Sequence, residues 1–359
     1  MSSGKLCRVR ALTLAQAAAA ATVLARLARG RVRRPPLAPL PVPEGVRVSV
    51  VVPTRDEAAR LRPCLEALRD NGEAFEVIVA DDSTDDTAGL AESLGARVVP
   101  GGPPEPGWIG KPWGLQKGLE AATGDVLVCF DADTRADPGL LGALVAELDA
   151  GADWVSCGPR FACDTPVEQL LHPALLATLV YRCGPTDVPE PARILANGQC
   201  TAVRRERFAA EGGYAIATGH MTDDVALAQA LDARGWDVRF RDASALLETD
   251  MHASGREVWR EWGRSIMLTD TTPRAQLAAD VAMAWLVMAL PVLRLLIRRT
   301  TPLDRALLVL RGAMLAALAG SYTRRGPLYW LSWLADPAAA LRLTISAVRP
   351  ARVWRQRTY

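Results

Sequence analysis

The most chemically loaded short motif in the sequence is Asp131-Ala132-Asp133. It follows the apolar run Val126-Leu127-Val128-Cys129-Phe130, which reads as a buried strand ending at Asp131. Carboxylates at i and i+2 past a strand end can face one cation together. Hard divalent ions such as Mg²⁺ or Mn²⁺ take oxygen ligands and bridge diphosphate oxygens. A diphosphate leaving group needs that neutralisation as its bond breaks. The competing reading is a loop pair of aspartates that caps the next helix, and the tripeptide alone does not separate the two.

A second acidic cluster, Asp81-Asp82-Ser83-Thr84-Asp85-Asp86, lies upstream at another strand end. Ser83 and Asp85 are residue types that cap helices. Capping leaves two further carboxylates at a strand terminus without a role. A carboxylate there can accept the N3–H of a uracil-like base, with Asp82 the first candidate and Asp81 the second. The first strand is followed by Pro53-Thr54-Arg55-Asp56-Glu57, with no glycine-rich turn. That argues against a dinucleotide-binding Rossmann domain, whose glycines let backbone meet pyrophosphate. It argues equally against a nucleotidyltransferase, which would want a Gly-rich, Lys- and Arg-bearing loop at this place.

The elements that must position these groups alternate. Val46–Val52, Phe75–Ala80, Ala96–Val99 and Asp125–Phe130 read as strands, with helices over Glu57–Asn71, Thr84–Leu94 and Trp113–Ala122 between them. Alternation implies an α/β fold on a mostly parallel sheet, which binds ligands at the carboxyl ends of its strands. Both acidic clusters lie at such ends. The chain has 359 residues, half of them hydrophobic, so a large core is readily filled. Lys and Arg total 42 against 40 Asp and Glu, which gives no whole-chain case for nucleic acid. The seven cysteines form no CxxC pair, which argues against a disulfide framework or a structural zinc site. The three histidines show no ligand-like spacing; His252 is a candidate third metal ligand.

The expected divisions are a hydrophobic and basic N-terminal helix over 1–34, a Pro-rich linker over 35–45, a catalytic domain over 46–270 and a C-terminal membrane-associating region over 271–359. Residues Ala11–Ala28 are Ala-rich and flanked by Arg, which suits a signal anchor or an interfacial or soluble helix. If that helix spans, the heavier Arg load after it places the main domain in the cytoplasm. Three apolar stretches near 281–297, 306–322 and 328–348 are interrupted by Arg294, Arg311, Asp336 and Arg342. They read as short membrane helices or as a helical subdomain on the membrane surface with its Arg side chains at the headgroups.

Val48–Glu57 (VSVVVPTRDE), Val77–Thr87 (VIVADDSTDDT) and Val126–Thr134 (VLVCFDADT) resemble the consecutive motifs of glycosyltransferase family 2, which has the GT-A fold. The resemblance covers roughly residues 46–265. It implies that Pro53, Arg55 and Glu57 line a nucleoside pocket, that Asp82 contacts the base, that Asp131 sits near ribose and metal, and that Asp133 binds the metal. Gly107-Trp108-Ile109-Gly110-Lys111-Pro112 resembles the branch that glycosylates lipids, including hopanoid-associated, carotenoid and ceramide-type enzymes. Lys111 can pair there with donor phosphate, or be a solvated loop lysine. Thr222-Asp223-Asp224 resembles the family's ED motif, whose aspartate is the general base; Asp224 takes that position and Asp223 replaces the usual Glu. A helix N-terminus with aspartates in its first turn would look the same. Asn197-Gly198-Gln199 resembles the segment beneath the donor sugar, or is a tight turn. Arg256–Arg264 stands where processive relatives carry QxxRW, but Glu261 separates Arg260 from Trp262 and the motif is not matched. Arg260 and Trp262 can cover a diphosphate and acceptor, or belong to an amphipathic helix.

These readings imply metal-dependent, inverting transfer of a sugar from a nucleotide-diphosphate sugar to an acceptor hydroxyl. The lipid branch and the apolar C-terminal third point to a lipid or polyprenoid acceptor at a membrane, with the catalytic domain facing the cytoplasm. The alternative is a catalytically silent, membrane-bound partner that keeps the fold for assembly.

Overall fold

The computed structural model of the chain describes residues 3–251, 254–265, 268–349, 353–354 and 357–358. The chain forms two compact units. A sheet unit comprises residues 34–162 and 194–250 with a short C-terminal ribbon, and a helical unit comprises residues 1–33, 163–193 and the segment from Met251.

The strands are β1 (Val48–Thr54), β2 (Glu76–Asp81), β3 (Arg97–Pro100), β4 (Val126–Phe130), β5 (Thr134–Ala136), β6 (Trp154–Gly158), β7 (Arg160–Ala162), β8 (Cys200–Arg204), β9 (Val238–Asp242) and β10 (Leu247–Asp250). Seven of them form one sheet in the order β3-β2-β1-β4-β8-β6-β9. All its pairings are parallel except those of β8, which runs antiparallel to both β4 and β6. β1 lies inside the sheet with Val48–Val52 fully buried, as a strand covered on both faces requires. Its register sets Thr54 beside Asp81, and Val51 beside Cys129 in β4. The Arg55–Glu57, Asp82 and Asp131 loops therefore all leave the carboxyl ends of adjacent parallel strands. A smaller sheet, β5-β10-β7, holds the chain just beyond Asp133. This is the mostly parallel α/β architecture expected, with the strand limits moved by one or two residues.

Helix Gly110–Ala121 begins three residues before the expected Trp113. Pro112 is tolerated because the first turn of a helix has no intrahelical acceptor for its N–H groups. The helix presses close against β1 through glycine. A Cβ at Gly118 would stand 2.2 Å from Val51 Cγ1, and one at Gly114 would stand 3.1 Å from Pro53 Cβ. That approach fixes the helix end that carries Lys111.

The helical unit contains helices Ser3–Ala28, Pro166–Cys183, Gly255–Ser265, Arg274–Met283, Leu290–Leu296, Pro302–Leu318 and Asp336–Val348. A π-type segment, Ala284–Ala289, makes Arg274–Leu296 nearly continuous. Arg10–Val32 and Arg274–Leu296 are long and apolar enough to cross a membrane. The residues that interrupt the apolar stretches point inward. Arg294 meets Asp304 at 3.2 Å, Arg311 meets Asp336 at 3.0 Å, and Arg342 donates to Trp259 O at 2.7 Å. This removes the headgroup placement that the membrane-surface reading gave those arginines, since buried charges need partners and these have them. Trp262 is also buried here, with its ring 4.1 Å from His172 in an edge contact, while Arg260 is exposed beside Glu261. Trp262 is thus a packing residue rather than a ligand cover. His252 lies outside the described residues. Cys64, Cys129, Cys157, Cys163, Cys183 and Cys200 are buried free thiols.

Candidate active site

The loop after β1 and the loop after β2 are tied to each other. Asp56 adopts a left-handed backbone, φ 53°, and its Oδ1 accepts from Thr84 N at 2.8 Å. Asp81 Oδ1 accepts hydroxyl bonds from Thr54 and Ser83, so its carboxylate is committed to bracing the strand ends. Asp82 instead faces Arg55, with Oδ2 2.6 Å from Nη1. Between the two candidates for base recognition, Asp82 is the one turned toward Arg55. Asp85 Oδ1 accepts from Thr87 N at 3.1 Å, although the N-cap position itself belongs to Asp86, which makes no side-chain cap bond. Ser83 does not cap; it links Asp56 N to Asp81. Glu57 N donates to Thr87 Oγ1 at 3.1 Å, which fixes its place.

Asp131 and Asp133 follow β4. Lys111 Nζ lies 2.6 Å from Asp131 Oδ1 and donates to Gly198 O at 3.2 Å. Lys111 occupies the first turn of its helix, where a cation opposes the helix dipole. Burial works against its ammonium as well, yet Asp131, Asp223 and Asp224 outweigh both and hold its pKa above the usual lysine value. Asp133 Oδ1 is buried and has no hydrogen-bond partner. Burial, then the Asp131 and Glu57 carboxylates, push Asp133 up to about 7 against the pull of Arg60 and Lys111. A buried carboxylate oxygen without a donor is the feature a cation would satisfy. No cluster of three or more His, Cys, Asp or Glu ligands exists among the described residues. Two carboxylates suit a hard divalent ion that keeps waters and substrate oxygens for its other positions. The residues present therefore fit Mg²⁺ or Mn²⁺.

Asp223 and Asp224 open the helix Asp223–Asp232. Asp224 is fixed by two backbone donors, Gly198 N to Oδ2 and Val225 N to Oδ1, each at 2.8 Å. Burial raises both pKa values, Asp223 to about 7, and Lys111 opposes the rise in each case. Asp224 has the fixed geometry of a positioned base, and Asp223 shares its electrostatic environment.

The segment Asn197-Gly198-Gln199 joins the two sides. Gly198 holds Asp224 through its N–H and Lys111 through its carbonyl. Gln199 O accepts from Asp131 N at 3.0 Å. A Cβ at Gly198 would lie 3.0 Å from Lys111 Nζ and 3.2 Å from Asp224 Cβ, so glycine permits the approach. The side chains of Asn197 and Gln199 bond to one another and to the turn, at 2.8 and 3.1 Å, which is the turn reading of this segment. Ser156, which sequence reasoning missed, fixes the turn by accepting from Asn197 N at 2.7 Å and donating to its carbonyl at 2.9 Å. Nothing in the strand sequence around Ser156 signals this. The role of Gly198 has a signal, a glycine between two amide side chains, but no sequence rule gives its partners.

Lys111, Asp131, Gly198 and Asp224 are thus linked, with Asp133 and Glu57 beside them and the Arg55–Asp82 pair on the neighbouring strand end. Residues 49–206 match the model of glycosyl transferase family 2. An uncharacterized glycosyltransferase of Mycobacterium tuberculosis is 40% identical over 112 residues, 31% of this chain and 48% of that protein. The 4,4'-diaponeurosporenoate glycosyltransferase of Staphylococcus haemolyticus is 27% identical over 190 residues, 51% of each chain. The chain spans about half the length of these curated relatives. A solved mannosyltransferase from Pyrobaculum calidifontis, in complex with GDP-Man and Mn²⁺, is similar with a TM-score of 0.54 at 20% identity, over 94% of this chain and 97% of that one. That last likeness is one of fold. Residues 49–206 thus carry a glycosyltransferase family 2 domain, and the sheet unit has a GT-A-like α/β fold.

Proposed function

We propose that the chain transfers a sugar from a nucleotide-diphosphate sugar to an acceptor hydroxyl with inversion at the anomeric carbon. The observation that carries this reading is the Gly198 bridge, which holds a candidate base, Asp224, through its N–H and a candidate leaving-group cation, Lys111, through its carbonyl. Asp224 takes the acceptor proton as the acceptor oxygen bonds to the anomeric carbon. The bond from that carbon to the diphosphate breaks on the opposite face, and the electron pair leaves with the nucleoside diphosphate. Asp131 and Asp133 would hold a divalent ion whose charge neutralises the departing diphosphate. Lys111 adds a fixed positive charge beside it. Asp82, Arg55, Pro53 and Glu57 flank the nucleoside, with Asp82 as the acceptor for a base N–H.

A lipid or polyprenoid acceptor is supported by the carotenoid-type relative and by the apolar helices. The same helices support membrane association, and the Arg residues following Ala28 support a cytoplasmic catalytic domain. The domain limits 1–34, 35–45, 46–270 and 271–359 belong to this proposal. The test is a transfer assay on the purified chain with a panel of UDP- and GDP-sugars against lipid and soluble acceptors, alongside Asp224→Asn. Transfer to a lipid that the variant abolishes supports the reading. Transfer only to soluble acceptors sinks the lipid acceptor. Neither transfer nor donor hydrolysis by folded protein favours the silent partner.

A further inference from the structure

The helical unit has an apolar core, yet it buries its acidic groups there and leaves a set of large apolar side chains exposed. In the N-terminal helix the buried stripe is Gln16, Ala20 and Val23, while Leu12, Leu14 and Leu24 are exposed. Gln16 donates to Asp304 Oδ1 at 2.8 Å, inside the unit. The C-terminal part repeats the pattern. Between residues 271 and 349 the acidic residues are Asp280, Asp304 and Asp336. Each is at most 2% exposed. Each pairs with an arginine, Asp280 with Arg193 at 2.6 Å, Asp304 with Arg294 and Asp336 with Arg311. The charges this segment shows to its surroundings are therefore all arginine. Arg274, Arg298, Arg299, Arg305, Arg325 and Arg349 are exposed, and none makes an ion pair among the described residues.

The pattern is sharpest at one turn. Leu295, Leu296 and Ile297 end a helix and are 39%, 65% and 63% exposed. Arg298 and Arg299 follow at once, and Arg305 stands in the first turn of the next helix. The turn closes with Arg299 N bonded to Arg294 O at 2.8 Å and Arg298 in the left-handed region, φ 56°. Glycine is the usual residue at that position of a helix end, and a side chain there is strained. The strained residue carries a charge and is set between an exposed apolar tip and a second arginine. In water this tip would be costly; at a membrane surface apolar side chains enter the acyl boundary and cations meet anionic headgroups.

We propose that the turn Leu295–Arg305 docks the helical unit on anionic phospholipid, with Leu295, Leu296 and Ile297 in the acyl boundary and Arg298, Arg299 and Arg305 on the headgroups. This rests on the membrane association proposed above and adds a lipid charge preference to it. The partner is assigned by complementarity, since an exposed surface of apolar and cationic side chains without exposed acids matches an anionic lipid layer.

The test is co-flotation of the full chain with phosphatidylcholine vesicles and with the same vesicles containing phosphatidylglycerol, at low and high salt. The wild type is expected to bind the anionic vesicles more tightly and to lose the difference in salt, as surface electrostatics are screened. Each arginine removed should weaken anionic binding about fivefold, so R298G/R299Q/R305Q should lose roughly a hundredfold. Arg298→Gly alone relieves the backbone strain, so it should keep or raise the melting temperature and still lose about fivefold. Equal wild-type binding to both vesicles would overturn the headgroup assignment and leave membrane association standing. Binding to neither would overturn both. Salt-sensitive binding to an oligonucleotide, without preference between the vesicles, would also overturn it.

Discussion

Gly198→Ala would place a methyl group 3.0 Å from Lys111 Nζ and 3.2 Å from Asp224 Cβ. Both distances are tighter than ordinary van der Waals contact. Lys111 can move, because its side chain is flexible, but it then leaves Asp131 Oδ1 or Gly198 O. Asp224 cannot move without losing the 2.8 Å bond from Gly198 N. A hydrogen bond to a charged group contributes about 1.5–3 kcal/mol. If that bond orients the base in the transition state, its loss lowers kcat by roughly ten- to a hundredfold. The turn is partly exposed, so the fold should tolerate the change. The assay is initial-rate kinetics with saturating donor, paired with a melting curve. A wild-type kcat in Gly198→Ala would refute the idea that this peptide unit positions the base. A lowered kcat with a collapsed melting temperature would refute it as well, by showing a structural effect.

Two further outcomes follow from the same geometry. Asp223 sits at about 7 and Asp224 is also raised, in both cases first by burial. A base works ionised, so activity falls as pH drops through the raised pKa, with an acid limb well above the ordinary carboxylate value of about 4. Lys111→Met removes the charge that opposes the rise and should move the limb to higher pH; a kcat/KM profile whose limb lies near pH 4 in about the unperturbed position would contradict this. Gly118→Ala puts a methyl 2.2 Å from buried Val51 Cγ1 and should cost about 1–3 kcal/mol of stability. An unchanged melting temperature would show that the helix stands off β1 more than the structure has it.

Much of the sheet unit was legible in sequence because its cause is local. Five consecutive buried residues in β1 read as a strand covered on both faces, and the acidic clusters fall at strand ends by simple counting. Asp133 is legible as a candidate from its residue type and its place past a strand end, and Asp224 through the resemblance of its segment to a family motif. Gly198 and Ser156 are not, because their roles depend on contacts between segments far apart in sequence. Ser156 meets Asn197, 41 residues away, and Lys111 meets Gly198, 87 residues away. The inward turn of Arg294, Arg311 and Arg342 is open in the sequence for a related reason. Sequence shows a charge in an apolar run, but only the packing shows whether a buried aspartate or carbonyl waits for it. Helix Pro166–Cys183 lies inside the range 46–270 in sequence, and its apolar face packs in the helical unit.

The central claim is a metal-dependent donor site on Asp131 and Asp133. Calorimetry of the purified chain with UDP and with GDP, each with and without Mn²⁺, addresses it when repeated with Asp133→Ala. The variant should stay folded, since Asp133 Oδ1 is buried without a partner and its loss removes an uncompensated group. The account predicts binding of one nucleotide that requires Mn²⁺ and is lost in Asp133→Ala. Binding of neither nucleotide, or binding that is indifferent to metal and to the substitution, would contradict it.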